Sequence, residues 1–345
     1  MRPRVAIVLF NLGGPDRPES IRPFLLNLFR DPAILRVPFF IRPLLARRIA
    51  LARLAPARAN YALLGGRSPL LELTCEQATA LEAALPELDA RCFIAMRYWH
   101  PLSGETAIAV RDWKPDHTIL LPLYPHFSST TTGSSLTAWR EAAARVGLVS
   151  ETTTLCCYPT DGSYVAATRK LLEASLESAR SELAQGIGLR ILFSAHGLPE
   201  AIVRKGDPYQ WQIQQTVAQL APSGADWAIC YQSRATPQRW LEPSTEAEIE
   251  RAARDRVAVL VVPIAFTSEH SETLVELDVE YRALADKLGV PGYFRVPAHN
   301  ADAAFIAALA RLVRFAREYG CGLCSHAGGR ICPPDRSFCP HPVMT

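Results

Sequence analysis

Glu269, Glu272, Glu276 and Glu280 are separated by three, four and four residues, and His270 lies among them. If this segment is helical, the four carboxylates share one face. No Lys or Arg occurs between Phe266 and Tyr281 to neutralise them. Like charges four apart cost a helix roughly a few tenths of a kcal/mol per pair. Such a line is either a solvated acidic face or a device that holds a hard divalent cation or passes protons. A second histidine, His196, closes another apolar run, Arg190–Ala195, and is followed directly by Gly197. A neutral imidazole there would act as a base or a metal ligand near neutral pH. Absent a partner, a buried histidine of this kind would equally be a satisfied core residue.

The acidic segment follows Val257–Phe266, an apolar run that reads as a buried strand. The Ser/Thr cluster after it reads as a helix start, with Thr267 or Ser268 as N-cap. Further short apolar runs are Val5–Leu12, Cys92–Tyr98, Thr118–Tyr124, Thr153–Tyr158, Arg190–Ala195, Trp227–Tyr231 and Tyr293–Val296. Helical patterns lie between them, among them Glu76–Leu88, Tyr164–Leu183, Glu246–Arg254 and Ala301–Tyr319. This alternation predicts an α/β chain of two similar doubly wound domains, each with a four-stranded parallel sheet covered on both faces. The halves echo each other: Leu120-Leu-Pro-Leu-Tyr-Pro-His-Phe-Ser-Ser-Thr in one, Leu260-Val-Val-Pro-Ile-Ala-Phe-Thr-Ser-Glu-His in the other. The expected boundaries are 1–160, 161–320 and a cysteine-rich tail, 321–345. A ligand is expected at the carboxyl ends of the strands, in a cleft between the domains.

Bulk properties exclude several classes. The 345 residues are 49% apolar and 21% charged, as expected of a well-packed core. The net charge of +3, without Lys/Arg runs interleaved with aromatics, gives no reason to expect nucleic acid. Asn11-Leu-Gly-Gly-Pro15 is a turn closed by proline and not a Gly-x-Gly-x-x-Gly, so no nucleotide is expected. The start of the chain reads as a first strand and not a signal peptide, and no run of 18 apolar residues exists. Nine scattered cysteines argue for a reducing, cytoplasmic setting.

Two segments stand apart. Ile34–Leu54 is apolar and basic with no acidic residue, and carries Arg36, Arg42, Arg47 and Arg48. It reads as a surface helix or as a lip, within about residues 34–60, that closes on a flat apolar ligand or rests peripherally on the inner membrane face. The tail carries Cys321, Cys324, Cys332 and Cys339 at C-x2-C-x7-C-x6-C among Gly and Pro. With so few core-forming residues, it is expected to need a cross-link: an iron–sulfur cluster, zinc, or otherwise disorder. Cys75, Cys92 and Cys230 read as packing residues.

Leu192-Phe-Ser-Ala-His-Gly-Leu-Pro199 resembles the strand-end histidine motif of ferrochelatases, which insert ferrous iron into porphyrins. The Glu272 segment resembles their second signature. Asn11-Leu-Gly-Gly-Pro15, Gly65-Gly-Arg-Ser-Pro69, Tyr124-Pro-His-Phe-Ser-Ser-Thr-Thr-Thr-Gly-Ser-Ser135, Arg204-Lys-Gly-Asp-Pro-Tyr209 and Tyr231-Gln-Ser-Arg234 with Trp240 also match, in order. Each motif is weak alone; together they are specific.

The resemblance implies a chelatase-like pair of Rossmann-like domains and a lyase that forms haem from protoporphyrin IX and ferrous iron, as monomer or homodimer. Coproporphyrin, or cobalt with a corrin precursor, would be the rival substrates, and a haem or iron carrier without turnover the rival of another class. The resemblance implies His196 and Glu272 as the iron pair, facing one another across the ring, with His270 and Glu276 beside them and Glu280 farther along the proton path. Glu269 stands where the family more often has Asp. Arg53, Tyr61 and Ser68 match positions that meet the porphyrin edge or propionates, and Tyr124, Trp240 and Phe266 would add flat apolar contact. Some relatives hold a [2Fe–2S] cluster with tail cysteines and one internal cysteine. Ser129 stands at the internal position of the animal pattern, so the ligands would be all four tail cysteines, or Cys156 or Cys157 would replace one.

Overall fold

The computed structural model describes residues 2–234 and 238–342. Its strands, in chain order, are β1 (Arg4–Asn11), β2 (Asp89–Met96), β3 (His117–Pro122), β4 (Glu151–Leu155), β5 (Leu189–His196), β6 (Asp226–Gln232), β7 (Ala258–Pro263), β8 (Tyr293–Arg295) and β9 (Gly322–Cys324). The chain forms two compact units. One comprises 1–157, 309–331 and 340–345, the other 158–308 and 332–339.

The first unit holds a five-stranded sheet in the order β2-β1-β3-β4-β9, every pairing parallel. Val5 to Phe10 of β1 have no solvent exposure, the continuous apolar signature of a strand covered on both faces. The second unit holds a four-stranded parallel sheet in the order β6-β5-β7-β8. The first four strands of each sheet therefore follow one plan: the second strand pairs on one side of the first, the third on the other, the fourth beyond it. Each sheet reverses direction beside its first strand, where α/β proteins open a crevice at the carboxyl ends.

The expected strands and helices recur with shifted ends. The long helix Gly162–Glu182 begins at Asp161, whose Oδ1 accepts from the Ser163 and Tyr164 amides. Helix Thr245–Asp255 begins at Ser244, whose Oγ accepts from the Ala247 amide. Two expectations are corrected. The first sheet gains a fifth strand from the tail: β9 pairs with β4, and the Cys156 amide donates to the Cys324 carbonyl at 2.8 Å. Backbone pairing with β4 thus holds the start of the tail. The acidic helix starts not at Thr267 or Ser268 but at Ser271, and Glu272–Tyr281 winds as a wide i→i+5 π-helix. Such helices are rare and gather at functional sites.

The lip contains the helix Arg42–Leu63. It buries Ala46 and Ala50 and leaves Phe39, Phe40 and Leu44 exposed by 78%, 69% and 64%. Among the described residues no helix is long and apolar enough to cross a membrane.

Candidate active site

His196 is the last residue of β5, and Glu272 opens the π-helix that follows β7, the strand next to β5 in the sheet. Strand adjacency thereby brings together residues far apart in sequence: His196 Nδ1 and Glu272 Oε2 lie 2.9 Å apart. The two groups, expected to oppose each other across a ring, are in direct contact. Gly197 is required here because a Cβ would stand 2.9 Å from the Gln232 carbonyl oxygen and 3.2 Å from the Trp240 ring. The indole thus covers the strand end beside His196. The Tyr209 hydroxyl donates to the His196 carbonyl at 3.0 Å and fixes the backbone.

The electrostatics follow from this contact. Burial alone pushes the His196 pKa down, but the charge and hydrogen bond of Glu272, with help from Glu276, leave it raised. Burial pushes Glu272 up, and His196 and His270 more than reverse this, pulling it down to about 2. In the neutral ring the carboxylate holds the imidazole proton on Nδ1, which leaves the lone pair on Nε2. About a third of the His196 side chain, 36%, stays open to solvent.

His270 is buried edge-on against Phe266, ring centroids 4.7 Å apart, and its Nδ1 accepts from the Glu272 amide at 3.2 Å. Burial lowers its pKa against the pull of Glu272 and Glu269, keeping a neutral ring beside the pair.

Glu276 is enclosed by donors. The Ser233 amide donates to Oε1 at 2.8 Å and the Ser233 hydroxyl to Oε2. Gln232 Nε2 donates to Oε2 at 3.1 Å, and the Tyr281 hydroxyl to Oε1 at 2.9 Å. Burial and the neighbouring charge of Glu272 still raise its pKa, so it is suited to take up a proton. Gln232 Nε2 also donates to the Glu272 carbonyl at 2.9 Å, while Gln232 Oε1 accepts from Ser194 at 2.9 Å. Ser233 is held at φ 66°, a left-handed conformation uncommon for serine, which turns its amide and hydroxyl onto one carboxylate. The Gln232–Ser233 pair was part of a sequence motif but carried no assigned role.

Glu269 does not belong to the line. Because the helix starts two residues later, its carboxylate turns away: Arg295 Nη1 reaches Oε1 at 2.8 Å, and the Ala298 amide donates to the same oxygen. Arg295 also grips Asp278 with two bonds, at 2.6 and 2.7 Å. The missing counter-ion therefore comes from β8. Glu280 is exposed.

In the first unit, Tyr61 and Ser68 come together at the exit of β1. A Cβ on Gly14 would lie 2.5 Å from Ser68 Cβ and Oγ and 3.9 Å from the Tyr61 hydroxyl. Arg53 lies on the exposed side of helix Arg42–Leu63. Tyr124 packs onto the apolar core of that unit. At the end of β2, Arg97 pairs with the buried Asp31 at 2.9 Å, and the Tyr98 hydroxyl donates to Asp31 at 2.8 Å. The sequence pattern did not single out this anchored arginine.

The tail cysteines do not form a self-contained cage. Cys321 is exposed, whereas Cys324, Cys332 and Cys339 are buried. Cys324 lies in β9, and Cys332 Sγ accepts from Gln212 Nε2 at 3.3 Å. Cys156 and Cys157, with sulfurs 3.4 Å apart, pack with Phe127, Leu323 and Ile331. Among the described residues, no three His, Cys, Asp or Glu side chains are grouped so as to hold a metal ion.

Comparison with known proteins identifies the family. The sequence model described as Ferrochelatase matches residues 4–316. Proteins named Ferrochelatase from Caulobacter vibrioides (strain NA1000 / CB15N) and Hyphomonas neptunium are 50% and 47% identical over 347 and 346 residues. Those alignments cover 99% and 98% of this chain and 98% and 94% of the relatives. The solved structure of SirB from Bacillus subtilis with Fe3+ matches with a TM-score of 0.52 at 11% identity, covering 91% of this chain and 95% of that one. The sirohydrochlorin chelatase SirB from Bacillus subtilis subspecies spizizenii in complex with cobalt gives 0.51 at 13% identity, covering 91% and 96%. At such identities the likeness concerns the fold alone. The fold is that of the chelatases, and on its sequence this chain belongs to the ferrochelatase family.

Proposed function

We propose that the chain inserts ferrous iron into protoporphyrin IX, releasing two protons. The observation that carries this reading is the His196 Nδ1–Glu272 Oε2 contact of 2.9 Å at the carboxyl end of a parallel sheet. With Nδ1–H held by the carboxylate, Nε2 is the base that takes a pyrrole proton, and Glu272 stabilises the imidazolium that results. The proton can then pass to Glu272 and on toward Glu276. The porphyrin loses two N–H protons as one dication enters, so charge is conserved. Ferrous iron is the substrate, and His196 and Glu272 are the groups proposed to meet it, with the neutral His270 behind them. Trp240 and Phe266 are proposed to lie against the macrocycle, and Arg53, Tyr61, Ser68 and Tyr124 to serve its edge.

Two finer readings accompany this one. The lip is proposed to rest on the inner membrane face through Phe39, Phe40 and Leu44, with Arg47 and Arg48 exposed beside them. Arg42 instead shapes the lip, because its guanidinium donates to the Leu35 and Val37 carbonyls. A [2Fe–2S] cluster is proposed on the tail's cysteine spacing. The exposure of Cys321 favours Cys156 or Cys157 in its place, since these buried thiols adjoin Cys324.

Anaerobic addition of ferrous iron to protein and protoporphyrin, followed by absorption, tests the reading. Repeated turnover to protohaem supports it. Binding without turnover would mean a carrier, and faster reaction with coproporphyrin, or with cobalt and a corrin precursor, would reassign the substrate.

A further inference from the structure

The Glu276 carboxylate has a neighbour the acidic line does not account for. Tyr281, the last residue of the π-helix, directs its hydroxyl at Glu276 Oε1, 2.9 Å away. Its ring is buried in the apolar cluster that contains Ile249 and Ala252 of helix Thr245–Asp255. Glu246 lies on that helix one turn before Ile249, and so on the same face. Glu246 Oε2 is buried and has no hydrogen-bond partner among the described residues. A carboxylate oxygen in that state is unusual, because buried acceptors are almost always satisfied. The phenol senses both acids: burial, then Glu276, then Glu246 raise its pKa, so it stays protonated.

We propose that protons leaving the His196–Glu272 pair exit through Glu276, the Tyr281 hydroxyl and Glu246, not through Glu280. The step is a relay. Once Glu276 is protonated, its carboxyl O–H donates to the phenol oxygen, and the phenol proton passes to the unpartnered Glu246 oxygen. One O–H bond forms at each acceptor as one breaks at each donor. Tyr281 ends as it began, and Glu246, partly exposed on its helix, releases the proton to water. The proposal rests on the chelatase reading, because only a reaction that sheds protons needs the path.

The test compares anaerobic protoporphyrin metallation by wild type, Tyr281→Phe, Glu246→Gln, their double variant and Glu280→Gln. Porphyrin binding is followed by fluorescence. Tyr281→Phe and Glu246→Gln should each slow turnover by about tenfold or more, with unchanged porphyrin affinity. The double variant should be no slower than the slower single, since both lie on one path, and Glu280→Gln should lose less than either. Added imidazole or formate buffer should partly restore the rate, which it would not do for a purely structural loss. Glu246→Gln at wild-type rate, losses that multiply in the double variant, or a larger loss at Glu280 would overturn the route. Wild type that turns over normally while those results hold leaves the chelatase reading standing. Wild type with no metallation overturns both.

Discussion

His196 and Glu272 are 76 residues apart in the chain and meet at 2.9 Å because β5 and β7 are neighbours in one sheet. With 36% and 27% of their side chains open to solvent, the two are partly shielded from water, and the contact fixes how the imidazole is oriented. His196→Ala should abolish metallation while leaving porphyrin binding largely intact. Single acid–base groups contribute roughly 100- to 10,000-fold, so a variant that kept a tenth of wild-type turnover would remove His196 from the chemistry.

The same contact predicts a pH window for its contribution to stability. Glu272 is depressed in the folded state from 4.5 to about 2, so its contribution is present above pH 4.5 and is lost as pH falls toward 2. His196 is raised above 6.5, so its contribution is complete below 6.5 and is lost as pH rises through the folded value. The difference in melting temperature between wild type and Glu272→Gln should therefore be widest between pH 4.5 and 6.5 and narrow on both sides. A difference that stays flat from pH 3 to 9 would mean that the pair is not ionised as described.

Arg295 should matter for stability more than any exposed arginine. It is 11% exposed, as is its partner Glu269, and it also binds Asp278. Arg295→Met would leave a buried carboxylate uncompensated, at a cost of roughly 3–5 kcal/mol. Glu269→Gln in the Arg295→Met background should recover part of the loss, read from urea denaturation. No recovery would show that the arginine acts by packing alone.

Legibility in the sequence followed the range of the forces. β3 and β7 are fully buried, as is β1 from Val5 onward, and their continuous apolar runs announced them. β9 is three residues, Gly322-Leu-Cys324, too short and too glycine-rich to read as a strand, and its pairing partner lies far upstream. His196 and Glu272 were each visible as residues able to do chemistry, but their contact depends on strand order, which periodicity does not encode. Glu269 has no counter-ion within its own segment because Arg295 is 26 residues away on another strand. The Ser/Thr cluster misled the helix start: the helix opens at Ser271, and Thr273 Oγ1 accepts from the His270 amide.

The lip separates shape from surface charge. Arg42 bonds to the backbone of its own segment, and Arg36 donates to the Ser129 hydroxyl at 2.8 Å. Arg47→Gln with Arg48→Gln should weaken binding to anionic vesicles, by roughly 1 kcal/mol per charge, without altering the melting temperature. Phe39→Ser with Phe40→Ser should weaken it further at high salt, where only the apolar part persists. Wild type that does not bind anionic vesicles at low salt would dismiss the membrane reading.

The tail cysteines make the last distinction. Cys324 is buried in β9, with its pKa pushed up to about 12 by burial and the nearby Cys157, whereas Cys321 is exposed. A buried thiol held this way stays protonated unless a metal takes the place of the proton. Protein purified anaerobically with a [2Fe–2S] group should be reddish and hold about two irons and two sulfides per chain. Cys324→Ser, Cys332→Ser and Cys339→Ser should each remove both. Cys321→Ser should leave them in place, and one of Cys156→Ser and Cys157→Ser should remove them. Loss at Cys321 with both Cys156 and Cys157 dispensable would return the cluster to the tail alone. Colourless protein with one zinc per chain would replace the cluster by a structural metal. Protein with neither metal nor sulfide, whose segment 321–324 still resists protease, would show that pairing of β9 with β4 suffices to order it.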